Sequence, residues 1–320
     1  MVVARRRLDT WIYVTGAPRS GTTFVGNVLS LPLAIDFIYE PSHPEHGMPG
    51  FDRPFLYLPA GSPADDPDAR RLARLFTYDF TLRTHLGPGD RGLRGLAKRA
   101  LGSRGAFHLR LAKLNPFHTG AVIKDPVGCL LTEYLHARHG VRPVVCVRHP
   151  TGFVASYLRL GWRPDLIGLP ALRAQPTLIA DHFGGDPSRL EAEPGDVVGA
   201  AATLWWALNR VLLAWCDRHP EWIVLTHEAL GADPVGTFRG VFGRLGLSWN
   251  ARIERAVRRQ TAGENRAEAR GGRVHDFRRD SAGLFELRRG ALTVEQRARI
   301  FELTRDVALR LYPEESFGLA

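Results

Sequence analysis

Cysteine is scarce in this chain, and its thiols are not spaced as metal ligands. Cys129, Cys146 and Cys216 lie far apart in apolar stretches of the sequence. This pattern excludes a disulfide framework or a zinc site and predicts buried thiols in a reducing compartment. A long apolar run and a secretory signal are also missing, so we expect a cytoplasmic protein with no membrane span.

Lysine is rare compared with arginine. It occurs only at Lys98, Lys113 and Lys124, so almost all of the 43 basic residues are arginines. The formal net charge of +10 comes from arginines that are interleaved with acids, with one locally basic segment at 252–289. A skewed genomic composition explains this excess as well as nucleic-acid binding does. We therefore expect no nucleic-acid partner.

The size and patterning of the chain favour a layered α/β fold. Its 320 residues are 44% hydrophobic and 24% charged, which is enough apolar material for a sizeable core. Strand patterns alternate with helical patterns, which predicts a mainly parallel central sheet flanked by helices in three layers. The predicted strands are residues 11–15, 33–39, 121–124, 141–147 and 222–225.

The sequence shows no internal repeat and no clear linker, which predicts one domain over residues 1–320. Two irregular stretches, at about 40–120 and 161–195, interrupt the alternation and are expected to be insertions that carry binding loops. The main predicted helices are residues 22–31, 67–86, 107–114, 127–139, 150–160, 196–218, 228–231, 234–246 and 293–311.

The first predicted strand runs into a glycine-rich loop, residues 16–21, and then into a helix. Such a loop offers backbone N–H groups and the positive end of a helix dipole to an anion. The glycine spacing is that of a nucleotide P-loop, but the lysine that should follow the second glycine is missing. Arg19 supplies a cation that can bind two oxygens of a phosphate or sulfate. Ser20, Thr22 and Thr23 add hydroxyl donors; the alternative is an ordinary strand-to-helix turn with a capping hydroxyl.

The strand at 141–147 ends in Arg148. In nucleotide triphosphatases of this architecture an acidic residue on a later strand helps to hold Mg²⁺. A cation at this position suits a further phosphate and argues against a metal. Ser156 lies a little more than two helical turns beyond Arg148 and reaches the same anion only if its helix lies flat across the site. The alternatives are a surface salt bridge for Arg148 and an ordinary helix-face position for Ser156.

Three strings, in this order and with these intervals, resemble the sulfotransferases that use 3′-phosphoadenosine 5′-phosphosulfate (PAPS). Residues 17–24 (APRSGTTF) are similar to their 5′-phosphosulfate loop, and residues 147–156 (VRHPTGFVAS) to their 3′-phosphate motif. Residues 225–234 (LTHEALGADP) resemble a strand-helix unit of the family. The resemblance covers about residues 11–250 apart from the irregular stretches. It implies a P-loop-like α/β fold, PAPS as donor, adenosine 3′,5′-bisphosphate (PAP) as product and no metal.

The resemblance also implies roles for single residues. Residues 122–126 (VIKDP) are similar to a string of the bacterial and tyrosylprotein branches, in which the lysine, here Lys124, contacts the transferring sulfuryl group. The position of Glu40 resembles that of the general base in the tyrosylprotein branch, and Arg19 would stabilise the transferring group with Lys124. His227 stands where many members have a tyrosine beside adenine. Glu40 needs a raised pKa to act as a base, and we expect burial to raise it; the alternative is a salt-bridged carboxylate.

Some positions depart from the family pattern. The histidine base of the cytosolic branch is replaced by Pro126, which leaves His43 and His46 as alternative bases. The C-terminal region lacks a tryptophan of the bacterial pattern. Weaker candidates for cofactor contacts in that region are Ser281, Arg288 and Arg289.

The acceptor is less well defined by the sequence. Residues 39–41 (YEP) are similar to a string in carbohydrate sulfotransferases, which slightly favours a glycan hydroxyl over a phenolic natural product or a lipid. Residues 51–58 and Trp162 are candidates for lining an acceptor pocket, and a place in the core explains them equally well. Two other functions compete with sulfuryl transfer: a small-molecule kinase with an unusual P-loop, and a non-catalytic anion or nucleic-acid binder.

Overall fold

A computed structural model of the chain describes residues 8–84, 104–261 and 291–319. All five predicted strands are present there, each within two residues of its expected bounds. The strands are β1 (Thr10–Thr15), β2 (Ile35–Tyr39), β3 (Gly120–Lys124), β4 (Arg142–Val147) and β5 (Ile223–Thr226).

The strands form one sheet in the order β2-β3-β1-β4-β5. β3 pairs in parallel with both β1 and β2, and the register sets Lys124 opposite Val14 and Tyr39. The runs of valine, isoleucine and aromatic residues in these strands are almost completely buried, as parallel strands covered on both faces require. Together with the helices, this arrangement confirms the predicted α/β class and its mainly parallel central sheet.

The helices of the described residues follow the predicted pattern with four main differences, one of which is an additional helix over Ala251–Thr261, where none was predicted. The predicted helix 67–86 ends at Phe76, and the predicted helix 127–139 is a short 3₁₀ turn followed by an α-helix. The stretch 161–195 is not irregular throughout, because two helices too short to show a clear apolar period lie within it. The α-helices are α1 (Thr22–Leu29), α2 (Pro67–Phe76), α3 (Arg104–Leu114), α4 (Thr132–His139), α5 (Pro150–Leu160), α6 (Gly168–Arg173), α7 (Pro176–Phe183), α8 (Val197–Arg218), α9 (His227–Ala232), α10 (Pro234–Arg244), α11 (Ala251–Thr261) and α12 (Val294–Ala308).

The chain divides into two compact units. The first consists of residues 1–15 and 25–144, and the second of residues 16–24 and 145–320. In the first unit, apolar residues of the strands pack with Trp11, Phe51 and Leu72 in one buried cluster. In the second unit, α8 is largely buried and carries the fully buried Trp205 and Trp215. The single domain remains a prediction.

α8 has the length and apolar composition of a membrane-spanning helix, although no such apolar run was expected from the sequence. The most apolar 18-residue stretch of α8 is 78% buried within the protein, as in the core helix of a globular domain. The three cysteines are free thiols; Cys129 and Cys146 are buried and Cys216 is partly exposed.

Candidate functional site

The loop between β1 and α1 is tight and has unusual backbone angles. Gly16 has φ +136°, and a Cβ atom there would lie 2.0 Å from the carbonyl oxygen of Cys146. Gly21 has φ +93°. Arg19, between the two glycines, adopts φ 74°, which is uncommon for a residue with a side chain. Residues held in such conformations are found preferentially at ligand-binding sites.

The side chains of Arg19, Arg148 and Ser156 meet at this loop, within the second unit. Arg19 Nε donates a hydrogen bond to Ser156 Oγ at 3.2 Å, and Arg148 Nη1 donates to the carbonyl oxygen of Arg19 at 3.2 Å. Ser156 reaches this point because α5 starts directly after β4, with Pro150 at its first position and His149 as its cap. The structure therefore brings together three residues that are distant in the sequence, since Arg19 and Ser156 are 137 positions apart.

Two further contacts fix Arg148. Its carbonyl oxygen accepts a hydrogen bond from Trp205 Nε1 at 2.7 Å, so α8 holds the end of β4 in place. A Cβ atom at Gly152 would lie 2.9 Å from Arg148 Nε, which shows that the first turn of α5 packs directly against the guanidinium. Arg148 is 3% exposed. Because two guanidinium groups at one mostly buried place repel each other, a bound anion would lower the electrostatic energy of this site.

The hydroxyl groups of the loop also suit an anion. Ser20 Oγ is buried and has no hydrogen-bond partner among the described residues, and Thr22 and Thr23 are buried at the start of α1. The first N–H groups of a helix have no partner within that helix. An unsatisfied buried polar group costs about 1–3 kcal/mol, which an oxygen of a phosphate or sulfate would recover. The His227 ring lies against the loop, since its Cδ2 would be 3.3 Å from a Cβ atom at Gly21.

In the first unit, Glu40 and Lys124 form a buried ion pair. Glu40 follows the last residue of β2, has φ 44°, and donates its backbone N–H to the carbonyl oxygen of Lys124 at 2.7 Å. Lys124 Nζ donates to Glu40 Oε1 and lies 4.1 Å from the centroid of the Tyr39 ring. Lys124 is 1% exposed and Glu40 is 8% exposed. The parallel pairing of β2 and β3 therefore places a charged pair where it has little contact with water.

The expected direction of the Glu40 pKa shift is wrong. Burial by itself does raise the pKa of Glu40, as the sequence predicted. The charge of Lys124 and the hydrogen bonds from His46 and Lys124 outweigh burial and hold the pKa of Glu40 well below its ordinary value. Glu40 is thus ionised, but it is a weak base for as long as Lys124 donates a hydrogen bond to it.

Lys124→Met should reverse this shift, since it removes the cation and leaves the carboxylate buried. In the wild type the lowered folded-state pKa gives stability that is present above the unfolded pKa, about 4.3, and is lost as pH falls; in the variant the raised pKa costs stability as pH rises above that value. We expect the free energy of unfolding of the wild type relative to Lys124→Met to increase by more than about 1.4 kcal/mol, one pKa unit, between pH 4 and pH 7. Urea unfolding at the two pH values measures it. Lys113→Met, whose ammonium binds the carbonyl oxygen of Phe80, is the matched control and should show no such change.

Asp125 and Ser42 hold the segment that follows Glu40, and sequence reasoning missed this role. Asp125 Oδ2 accepts hydrogen bonds from Ser42 N at 2.8 Å and Ser42 Oγ at 2.6 Å, and Asp125 Oδ1 accepts from Gly128 N at 3.0 Å. Burial raises the pKa of Asp125 to about 6, against the hydrogen bonds from Ser42. These bonds fix the backbone two residues after Glu40. The only signal in the sequence was the position of Asp125 directly after Lys124.

His46 and His43, the alternative bases, lie beside Glu40. His46 Nε2 is 2.8 Å from Glu40 Oε2, and the His43 ring stacks on the His46 ring with centroids 3.6 Å apart. One ligand atom from each of these three residues lies within 4.8 Å of the others, so they form a possible metal-binding group. The nitrogen lone pairs lie in the ring planes, and the planes of the two stacked rings are nearly parallel, so the rings would have to tilt before both could bind one ion.

Other candidates lie elsewhere. Residues 51–58 contain buried apolar side chains, and Phe51, Leu56 and Leu58 belong to the core cluster of the first unit. Trp162 is 39% exposed, and its ring centroid is 5.9 Å from Arg19 Cζ. The weaker C-terminal candidates, Ser281, Arg288 and Arg289, lie outside the described residues.

No protein-family model matches the chain, and no curated protein matches it. Among solved structures, the chain is similar to the sulfotransferase domain of the olefin synthase of Synechococcus PCC 7002, at 14% identity over 96% of this chain and 98% of that chain, with a TM-score of 0.43. A sulfotransferase from Mycobacterium avium gives 16% identity, coverage of 93% and 76%, and a TM-score of 0.42. A mouse sulfotransferase complexed with PAP gives 12% identity, coverage of 98% and 89%, and a TM-score of 0.41. These weak likenesses decide neither fold nor activity.

Proposed function

We propose that this chain is a PAPS-dependent sulfotransferase, which transfers a sulfuryl group from PAPS to a hydroxyl acceptor. The observation that carries the proposal is the meeting of Arg19, Arg148 and Ser156 at a glycine-rich loop. Two guanidinium groups and the hydroxyls of the loop suit a ligand with two separate anionic groups. PAPS has a 5′-phosphosulfate and a 3′-phosphate, and the three sequence strings resemble the motifs that bind them.

The residues divide between the two ends of the donor. Arg19 and the N–H and hydroxyl groups of residues 20–23 would bind the 5′-phosphosulfate. Ser20 Oγ, which lacks a hydrogen-bond partner in the described part of the chain, would be one donor. Arg148 and Ser156 would bind the 3′-phosphate, and His227 would lie at the adenine. Arg148, in place of an acidic residue, supports donor binding without a metal ion.

Glu40 would act as the general base. It accepts the proton of the acceptor hydroxyl while the acceptor oxygen forms its bond to sulfur and the bond from sulfur to the leaving phosphate oxygen breaks. Lys124 and Arg19 stabilise the negative charge that develops on the sulfuryl and leaving oxygens. When Lys124 turns from Glu40 towards that charge, the pKa of Glu40 rises because burial then dominates.

We propose a small molecule or a glycan as acceptor, with a sugar hydroxyl favoured by the YEP string at residues 39–41. The exposed Trp162 ring near Arg19 offers an aromatic surface to such an acceptor.

A labelled-transfer assay tests the proposal. The protein is incubated with PAPS labelled in its sulfuryl group, a panel of sugars, phenols and lipids, and EDTA. We expect a labelled acceptor product in the presence of EDTA, and no phosphoryl transfer from ATP with Mg²⁺. Phosphoryl transfer from ATP would favour the kinase alternative. Sulfuryl transfer that requires a divalent cation would contradict the proposed metal-free mechanism.

A further inference from the structure

Exposed apolar side chains are concentrated on one surface of the first unit. Ten large apolar side chains are exposed among the described residues, and five of them belong to α3 and the loops beside it. Leu114 is 78% exposed, and Phe117 and Leu33 are 74% and 72% exposed. Surfaces of this kind commonly mark sites of interaction with another molecule. We call this surface the α3 patch; its members are Leu33, Phe107, Leu111, Leu114 and Phe117.

The helical part of the α3 patch lies on a different face of α3 from the one that packs on β2. Leu109 and Ala112 are buried, and a Cβ atom at Gly105 would lie 3.4 Å from the carbonyl oxygen of Tyr39, so α3 packs closely on β2. The exposed members on the helix are four and three residues apart, which sets them in one stripe. α3 therefore has, besides the face that packs on β2, an exposed apolar stripe that is flanked by basic residues.

Hydrogen bonds hold the rest of the patch in place. Asn115 Nδ2 donates to the carbonyl oxygen of Leu33 at 3.1 Å and to Asp36 Oδ1 at 2.8 Å, and the N–H of Phe117 donates to Asn115 Oδ1 at 3.0 Å. Asp36 is 4% exposed, so these bonds anchor both loops to the core. Leu33 and Phe117 therefore extend the helical stripe as part of one ordered surface.

The charged side chains of α3 and of the loop that follows it are all basic. Arg104, Arg110 and Lys113 lie on α3, and no aspartate or glutamate occurs in residues 104–124. A basic, apolar surface matches the headgroups and interfacial layer of an anionic bilayer. A second copy of the chain fits less well, since a two-fold axis through the patch would bring the same cations together.

We propose that the α3 patch docks this chain on an anionic lipid bilayer, with its apolar side chains in the interfacial layer and the cations of α3 at the headgroups. The binding is peripheral, and it is independent of the sulfotransferase proposal. It brings the chain to the surface where anionic lipids are enriched, whichever acceptor the enzyme uses.

Co-sedimentation with vesicles tests this proposal with the whole chain. We expect binding to equimolar phosphatidylcholine–phosphatidylglycerol vesicles, and at least about tenfold weaker binding to phosphatidylcholine alone, because each basic residue near the surface contributes to the attraction. The double variant Leu114→Ser/Phe117→Ser should bind the anionic vesicles at least about tenfold less tightly than the wild type, because two exposed side chains no longer enter the interfacial layer.

The matched control is Val294→Ser/Leu309→Ser, which removes two half-exposed apolar side chains from the second unit and should bind as the wild type does. Circular dichroism confirms that both double variants are folded. Equal binding by Leu114→Ser/Phe117→Ser and the wild type would overturn the proposal, as would the absence of binding to anionic vesicles. A concentration-dependent dimer that the patch variant abolishes, without vesicle binding, would make a second copy the occupant and would also overturn it.

Discussion

Glu40→Gln is expected to lower the rate of sulfuryl transfer by about 10²- to 10⁴-fold, the range that general base catalysis contributes. Glutamine has nearly the same shape and still accepts hydrogen bonds from Lys124 and His46, but it does not take a proton from the acceptor. The affinity for PAP should be kept, because Glu40 does not contact the donor loop in the proposed mechanism. Single-turnover transfer with labelled PAPS gives the rate, and calorimetry with PAP gives the affinity.

Glu45→Gln is the matched control for this variant, since Glu45 is exposed in the same loop and should leave the rate unchanged. If Glu40→Gln retains the wild-type rate, the base lies elsewhere. His46→Gln and His43→Gln would then identify which of the two stacked histidines takes the proton.

Arg148→Ala is expected to weaken PAP binding by about a hundredfold, because truncation of a buried, charged hydrogen-bond partner costs about 2–5 kcal/mol. Arg148 is 3% exposed and contacts the carbonyl oxygen of Arg19, so its truncation removes a buried positive charge from the proposed 3′-phosphate site. The rate at saturating PAPS should change much less than the affinity, since Arg148 is not assigned to the sulfuryl group. Calorimetric titration with PAP and transfer at saturating PAPS measure the two quantities.

Arg159→Ala provides the comparison, since Arg159 is an exposed arginine on α5, the helix that also carries Ser156. It should bind PAP as the wild type does at the same ionic strength. An unchanged dissociation constant for Arg148→Ala would remove the proposed 3′-phosphate contact.

Much of the framework follows from local pattern. The apolar strands could be predicted from the sequence because burial on both faces restricts which residues are allowed. The glycines of the loop after β1 could be predicted because positive φ angles favour glycine. The contact between Arg19 and Ser156 could be predicted only from the resemblance to the sulfotransferases. Spacing along the chain does not show how α5 lies relative to the loop. The helices within 161–195 were missed because six to eight residues are too few to show a period of 3.6.

The protonation of the site could not be predicted from the sequence. The pKa of Glu40 depends on Lys124, which is 84 positions away and is brought to it by strand pairing. Burial was foreseeable from the position of Glu40 at a strand end, but the opposing charge was not. The support of this segment by Asp125 and Ser42 depends on the same pairing.

Calorimetric titration with PAP in the presence of EDTA tests the central claim most directly, namely that arginines and a glycine-rich loop bind an adenosine bisphosphate without a metal ion. The account predicts saturable, one-to-one binding of PAP that EDTA does not weaken, and much weaker binding of ATP under the same conditions. An absence of heat with PAP, or binding that appears only when Mg²⁺ is added, would contradict it.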